Sequence, residues 1–83
     1  MLTVDVRFVA FELTPGLSSG EYEIEAGASI RDLLRVCEGM CGRIIPEKNF
    51  QSMYPLFNGM PVTLDTALTE NGSLHLCRVV VGG

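Results

Sequence analysis

The stretch ASIRDLL, residues 28–34, decides the fold because it opens the single helix that we predict for this chain. Ser29 is a favourable N-cap residue, and Asp32 three positions later completes an approximate capping box. Apolar residues then recur at helical spacing, at Ile30, Leu33, Leu34, Cys37 and Cys41. Gly39 and Gly42 indicate where this helix ends. The segment therefore predicts one helix with a single apolar face.

Two segments before the helix alternate apolar and polar residues, which is the period of a half-buried strand. In the first segment, Leu2, Val4, Val6 and Phe8 alternate with Thr3, Asp5 and Arg7. In the second segment, Tyr22 and Ile24 alternate with Glu21, Glu23 and Glu25. The turn-forming sequences TPG, residues 14–16, and SSG, residues 18–20, lie between them. We predict a hairpin whose solvated face is acidic.

The part of the chain after the helix predicts three more strands. Residues 56–62, LFNGMPV, place an Asn-Gly turn between two apolar runs, which indicates two short strands joined by a tight hairpin. Residues 43–54 show no convincing period and are predicted to be an irregular connection, and residues 66–68 are predicted to form a single helical turn. Leu74 and Leu76 alternate with His75 and Cys77 in a last strand, which Val79, Val80 and Val81 carry toward the end.

The predicted order of elements defines the fold class. One helix is available to cover one face of a mixed sheet of four to five strands, which is an α+β architecture. The chain has 83 residues, of which 47% are hydrophobic and 19% charged, so it is long enough for one core and too short for two. We therefore expect residues 1–83 to form a single domain, with a flexible Gly-Gly tail at about residues 80–83.

The charge and the cysteine content exclude several classes of protein. Ten acidic against six basic residues give a net charge of -4, which opposes binding to nucleic acids and to anionic membranes. No run approaches the roughly 20 apolar residues of a membrane helix, and the alternating N-terminal residues do not form the charged start and apolar block of an export signal. Three cysteines are an odd number, which argues against a disulfide framework. We expect a cytoplasmic protein whose partner has a basic groove.

The sequence ends in Gly82-Gly83 directly after the last predicted strand. Glycine lacks a Cβ and moves freely in φ and ψ, so a two-glycine tail can extend into a narrow channel and present its carboxylate without steric shielding. An ordinary flexible terminus is the alternative explanation of the same pair. The position of the pair makes the carboxylate of Gly83 the candidate reactive group.

Several motifs, taken in order, resemble those of a known family. They are the alternating start at residues 2–8, ASIRDLL at 28–34, FNG at 57–59 with Val62, LTENGSL at 68–74, and the terminal Gly82-Gly83. Together they span nearly the whole chain and resemble the small sulfur-carrier subunit of molybdopterin synthase and its relatives, including the thiamine-pathway sulfur carrier. The length of residues 43–54 is more similar to the molybdopterin branch, whereas Arg78-Val79 departs from the Pro-Pro pair that many of its members carry.

The resemblance implies a ubiquitin-like β-grasp fold and a carrier function. A ubiquitin-activating-type enzyme would use ATP and Mg²⁺ to adenylate Gly83, with Gly82 and Val81 in its channel, and a persulfide would then convert the adenylate to a thiocarboxylate. The sulfur would pass to a sulfur-accepting synthase subunit in cofactor biosynthesis, with molybdopterin as the expected product. The carrier itself would bind no cofactor, supply no catalytic side chain and therefore not be an enzyme.

The last predicted strand also carries the candidate partner interface. His75, Cys77 and Val79 are expected to face away from the helix, and Phe57 is expected to join them. An exposed apolar patch of this kind usually marks an interface. Packing beneath the connection at residues 43–54 is the alternative.

Other candidate sites have less support. Cys37 and Cys41 lie four apart on the helix and could bind zinc together with Cys77 or His75, but free cysteine more often behaves as a small buried hydrophobe, so we expect no metal site. His75 has no Ser, Asp or Cys partner at a recognisable catalytic spacing. The glutamates of the second strand are most simply one solvated face rather than paired catalytic acids.

Two further functions are compatible with these residues. A ubiquitin-like modifier would use the same activated Gly83 to form an isopeptide bond with a lysine of another protein. A β-grasp interaction module would have no carrier role, and its terminal glycines would be incidental. Adducts of higher mass would distinguish the modifier, and tolerance of an added C-terminal residue would distinguish the module.

Overall fold

A computed structural model describes residues 1–79 of the chain. Within them, one α-helix and one 3₁₀ helix accompany five strands, and neither helix is long and apolar enough to cross a membrane. The elements are β1 (Leu2–Arg7), β2 (Gly20–Ile24), α1 (Ile30–Cys41), the 3₁₀ helix (Glu47–Ser52), β3 (Met53–Phe57), β4 (Met60–Pro61) and β5 (Gly72–Arg78). This order confirms the predicted α+β class.

The five strands of the described residues form one mixed sheet in the order β2-β1-β5-β3-β4. β1 runs antiparallel to β2 and parallel to β5, and β3 runs antiparallel to both β5 and β4. β5 therefore lies at the centre of the sheet, between β1 and β3, although it is the last of these strands in the sequence.

The helix α1 covers one face of this sheet, and the core lies between them. The core side chains of β1, β2, α1 and β5 are Val4, Val6, Tyr22, Ile24, Ile30, Leu33, Leu34, Cys37, Leu74 and Leu76. Burying each large aliphatic side chain contributes about 1.5–3 kcal/mol. We call the opposite side of the sheet the outer face; it carries Thr3, Asp5, Arg7, Glu21, Glu23, Tyr54, Leu56, Ser73, His75 and Cys77, which alternate with the inward residues.

The start of α1 has the predicted capping box. Ser29 Oγ accepts the N–H of Asp32 at 3.1 Å, and Asp32 Oδ2 accepts the N–H of Ser29 at 3.0 Å. The bond from the Ser29 backbone lowers the pKa of Asp32, because it stabilises the ionised carboxylate. At the other end, Gly42 caps the helix in the left-handed conformation at φ 66°, whereas Gly39 lies within it.

The Asn-Gly hairpin is also confirmed. Asn58 and Gly59 have φ values of 51° and 82°, which is the left-handed conformation that a tight turn between β3 and β4 requires. The predicted helical turn at residues 66–68 was wrong. Ala67 instead forms an isolated antiparallel bridge to Ser29, because this segment pairs with the chain that enters α1.

The irregular connection predicted after the helix contains the 3₁₀ helix and the start of β3, so that prediction was also wrong. A buried carboxylate organises it: Glu38 accepts the N–H of Ile45 at 2.6 Å and Nη1 of Arg35 at 2.8 Å. Arg35 also contacts Glu47 of the 3₁₀ helix at 3.1 Å and lies 5.2 Å from the centre of the Phe50 ring. These contacts stabilise a defined conformation of residues 43–54, although the sequence of this segment has no periodic pattern.

Candidate functional site

The C-terminal end of β5 is held on both sides. The carbonyl oxygen of Leu76 accepts the N–H of Ala10 at 3.0 Å, and the N–H of Val79 donates to the carbonyl oxygen of Ser52 at 2.8 Å. These bonds fix the direction in which the chain leaves the sheet. The predictions for Val80, Val81, Gly82 and Gly83 lie outside the described residues.

An ion pair flanks this exit. Arg78 Nη1 lies 3.0 Å from Glu12 Oε1, and both side chains are exposed. A pair of this kind contributes at most about 1 kcal/mol, because water screens it. Arg78 thus ties the strand end to the loop between β1 and β2 without adding much stability.

His75 and Cys77 lie on the outer face, away from α1. His75 is opposite Arg7 of β1 and Leu56 of β3, and Cys77 is opposite Tyr54. His75 is exposed, Cys77 is half-buried, and Val79 is exposed just beyond β5. Their role as a partner interface stays a prediction.

Phe57 does not share this face. It is opposite Leu74, and its half-buried side chain packs against the core. The expectation that Phe57 joins the outer face was wrong because the register of β3 against β5 places Tyr54 and Leu56 there instead.

Three exposed apolar side chains near the end of β5 were not predicted from the sequence. Val9 and Phe11 are 52% and 74% exposed, and Tyr54 is 44% exposed. The signal for the first two was available, because the alternation of β1 continues past its end: Phe8 and Ala10 are buried, while Val9 and Phe11 are exposed. Exposed apolar area beside a strand end is typical of a protein interface.

The three cysteines do not meet at one site. Cys37 is buried in the core, and burial raises the pKa of its thiol to about 12. Cys41 lies 3.4 Å from the Tyr22 hydroxyl and accepts the N–H of Ser18 at 3.4 Å, and these hydrogen bonds lower its pKa. Cys77 is on the other side of the sheet. In residues 1–79, no group of three or more His, Cys, Asp or Glu side chains could hold a metal ion.

Comparisons with known proteins bear on the fold. No protein-family model and no curated protein sequence matches this chain. A solved structure from Pyrococcus furiosus, assigned as molybdopterin converting factor, subunit 1, superposes with a TM-score of 0.66 over 96% of this chain and 100% of that chain, at 19% identity. SAMP1 from Haloferax volcanii superposes with a TM-score of 0.66 over 99% of this chain and 98% of that chain, also at 19% identity. The chain has the β-grasp fold. The predicted resemblance is thus confirmed at the level of the fold.

The β-grasp fold explains how the candidate site is assembled. It covers one face of the sheet with α1, leaves the outer face without a covering helix in the described residues, and places β5 at the centre. His75 and Cys77 are thereby brought beside Tyr54, whereas Phe57 is separated from them. The described residues thus place His75, Cys77 and Tyr54 on one face near the C-terminal end of β5.

Proposed function

We propose that this β-grasp domain is a sulfur-carrier protein whose working group is the carboxylate of Gly83. The observation that carries the proposal is the end-to-end match with a structure assigned as molybdopterin converting factor, subunit 1. A Gly-Gly pair shortly after the central strand supports it, because that position suits a tail that enters another protein. The name of the neighbour supports molybdopterin as the cofactor that receives the sulfur.

The chemistry needs an external activating enzyme, because a carboxylate at neutral pH is a poor acyl donor. An oxygen of the Gly83 carboxylate attacks the α-phosphorus of ATP, which releases pyrophosphate and forms an acyl-adenylate. The terminal sulfur of a persulfide then displaces AMP, and a thiol reduces the resulting acyl disulfide to the thiocarboxylate. The activating enzyme binds the ATP and Mg²⁺, and the carrier supplies its tail as the substrate.

The surface near the end of β5 supports partner binding. Ordering the tail costs about 1–2 kcal/mol for each residue, so a partner must gain free energy from the folded domain. Val9, Phe11 and Tyr54 offer exposed apolar area for this purpose. The activating enzyme and the sulfur-accepting synthase subunit both need the same tail, so they bind one after the other.

Intact mass spectrometry on a chain that ends at Gly83 tests the proposal. After incubation with ATP, Mg²⁺, a persulfide source and extract of the source organism, the mass should rise by about 16 Da, because sulfur replaces one carboxylate oxygen. The rise should map to the peptide that contains Gly82-Gly83. Deletion of Gly83, or one residue added after it, should abolish the change, since the carboxylate then no longer reaches the activating centre.

Three other outcomes would contradict sulfur carriage. An unchanged mass, in an extract that converts a known carrier, would refute it. A series of heavier adducts would identify a protein modifier that is conjugated through Gly83. Unchanged partner binding with the added residue, without any mass shift in the wild-type chain, would identify an interaction module.

A further inference from the structure

Two segments hold the end of β5, and they are also bonded to each other. One is the turn at residues 10–14, which follows β1, and the other is the 3₁₀ helix. Asn49 of the 3₁₀ helix donates a hydrogen bond from Nδ2 to the carbonyl oxygen of Leu13 in the turn, at 2.9 Å. The two residues are 36 positions apart in the sequence, so this bond is a tertiary contact.

The bond between the two segments closes a ring of contacts around the strand end. Arg78 contacts Glu12 of the turn at 3.0 Å, and the N–H of Val79 donates to the carbonyl oxygen of Ser52 at the end of the 3₁₀ helix, at 2.8 Å. The strand end is therefore held by two segments that do not move independently. We call this ring the exit frame, and its members are Glu12, Leu13, Asn49, Ser52, Arg78 and Val79.

The turn presents the carboxylate of Glu12 from an ordered backbone. Ala10, Leu13 and Thr14 are buried, and the N–H of Leu13 donates to the carbonyl oxygen of Ala10 at 2.9 Å. Ala10 in turn donates its own N–H to the carbonyl oxygen of Leu76 in β5, at 3.0 Å. The exposed side chain of Glu12 thus starts from a fixed position beside the strand that it contacts.

Stability of the fold does not explain the ion pair of the exit frame. Exposed ion pairs contribute little, because water screens them and the ordering of two long side chains costs entropy. The position of the pair is specific, however, since Arg78 is the last residue of β5 and only residues 79–83 follow it. Val79 is specific as well, because a proline at this position would have no N–H to donate to Ser52.

We propose that Glu12, Arg78 and Asn49 are positioning residues that direct the tail toward the active site of the activating enzyme. The reaction rests on the proposed function, whereas the exit frame is a feature of the described residues. A tail that leaves the domain in a fixed direction loses less conformational entropy when it enters a channel. The exit frame therefore raises the fraction of docked carriers whose carboxylate reaches ATP, and it acts through the tail rather than on the reacting atoms.

Carrier-dependent ATP–pyrophosphate exchange tests the proposal, with the enzyme purified from the source organism by that activity. Glu12→Gln weakens the exit frame but keeps Arg78, so any direct contact of this arginine with the enzyme is retained. The kcat should fall roughly fivefold, the factor that corresponds to the loss of an exposed ion pair. The KM for the carrier should stay within about twofold of the wild-type value, because the docked surface is unchanged.

A charge exchange and a matched control complete the kinetic test. Glu12→Arg combined with Arg78→Glu restores an ion pair, so its kcat should return to within about twofold of wild type. Each of these two changes alone places like charges together and should lower the kcat more than Glu12→Gln does. Glu70→Gln makes the same change of charge at an exposed residue before the start of β5, and it should leave both kcat and KM within about twofold of wild type.

Hydrogen exchange tests the exit frame without the enzyme. Asn49→Ala removes the bond to Leu13, so the amide hydrogen of Val79 should exchange at least about threefold faster, because the strand end opens locally more often. The amide hydrogen of Leu74, in the middle of β5, should keep its rate. Equal acceleration at both sites would show a general loss of stability, and an unchanged rate at Val79 would show that Asn49 does not brace the strand end. Either result would overturn the proposal.

The kinetic outcomes separate this proposal from the proposed function. Absence of carrier-dependent exchange with the wild-type chain would refute the proposed function, and the positioning role with it. Exchange with an unchanged kcat in the Glu12→Gln variant would overturn the positioning role alone. A raised KM in an Arg78→Gln variant, with Glu12→Gln at the wild-type kcat, would assign Arg78 to direct contact with the enzyme instead.

Discussion

Replacing Glu38 by alanine perturbs the contact that organises the chain between α1 and β3. In the wild-type protein, Glu38 Oε2 accepts the N–H of Ile45 at 2.6 Å, and Oε1 accepts Nη1 of Arg35 at 2.8 Å. Ile45 is 2% exposed, so water does not readily replace the lost acceptor. The variant therefore leaves a backbone N–H unsatisfied in the interior.

The magnitude follows from these two contacts. A buried donor without a partner costs about 1–3 kcal/mol. Loss of the pair with Arg35 adds at most about 1 kcal/mol, because the arginine side chain is partly exposed. We expect the free energy of unfolding to fall by about 1–4 kcal/mol. A loss of about 2 kcal/mol would lower Tm by about 8–16 °C in a domain of this size.

Urea unfolding followed by circular dichroism measures this loss, with two matched controls. Glu38→Gln keeps an oxygen that can accept the N–H of Ile45, so it should lose less stability than the alanine variant. Glu47→Ala removes an exposed ion-pair partner of Arg35 and Arg31 and should cost less than about 1 kcal/mol. A Glu38→Ala protein within about 0.5 kcal/mol of wild type would refute the assignment of this role to the carboxylate.

Two further predictions concern ionisation. The pKa of Asp32 is lower in the folded protein than in the unfolded chain, so its ionised carboxylate stabilises the fold above the unfolded-state pKa. This stabilisation is lost as the pH falls through the folded-state pKa. The difference in Tm between wild type and Asp32→Asn should therefore be present at neutral pH and vanish in acid, and an equal difference at every pH would contradict the assignment. Iodoacetamide should modify Cys41 before Cys37 in the native protein, because Cys37 is fully buried with its pKa raised to about 12 and the pKa of Cys41 is lowered. Peptide mapping measures which cysteine is modified first. As a control, the two thiols should react at similar rates when the protein is unfolded in urea. Faster modification of Cys37 in the native protein would be inconsistent with the structure.

Local signals predicted the parts of the fold that depend on neighbouring residues. The capping box of Ser29 and Asp32 and the turn at Asn58-Gly59 need only a few adjacent positions, and both were confirmed. The turn predicted at residues 66–68 failed because the pairing of Ala67 with Ser29, far away in the sequence, overrides a weak local preference. The 3₁₀ helix was missed because the contacts that stabilise it come from α1.

For the candidate site too, local patterns predicted some positions, whereas pairing between distant strands decided others. Alternation along one strand placed His75 and Cys77 on the outer face. It could not place Phe57, because the register between β3 and β5 decides which side of the sheet each residue takes. The bond between Asn49 and Leu13 likewise becomes visible only in the folded chain, because the two residues are 36 positions apart.

The central position of β5 also affects how the protein folds during synthesis. Val4 of β1 pairs with Gly72 of β5, so the two strands at the middle of the sheet meet only after nearly all of the described chain has been made. Pairing over such a sequence separation slows folding, and until then the emerging chain exposes the apolar face that β5 will cover. The bond that holds Val79 to Ser52 forms at the same late stage. A nascent or truncated chain that lacks β5 therefore lacks both the centre of the sheet and the fixed strand end that follows it.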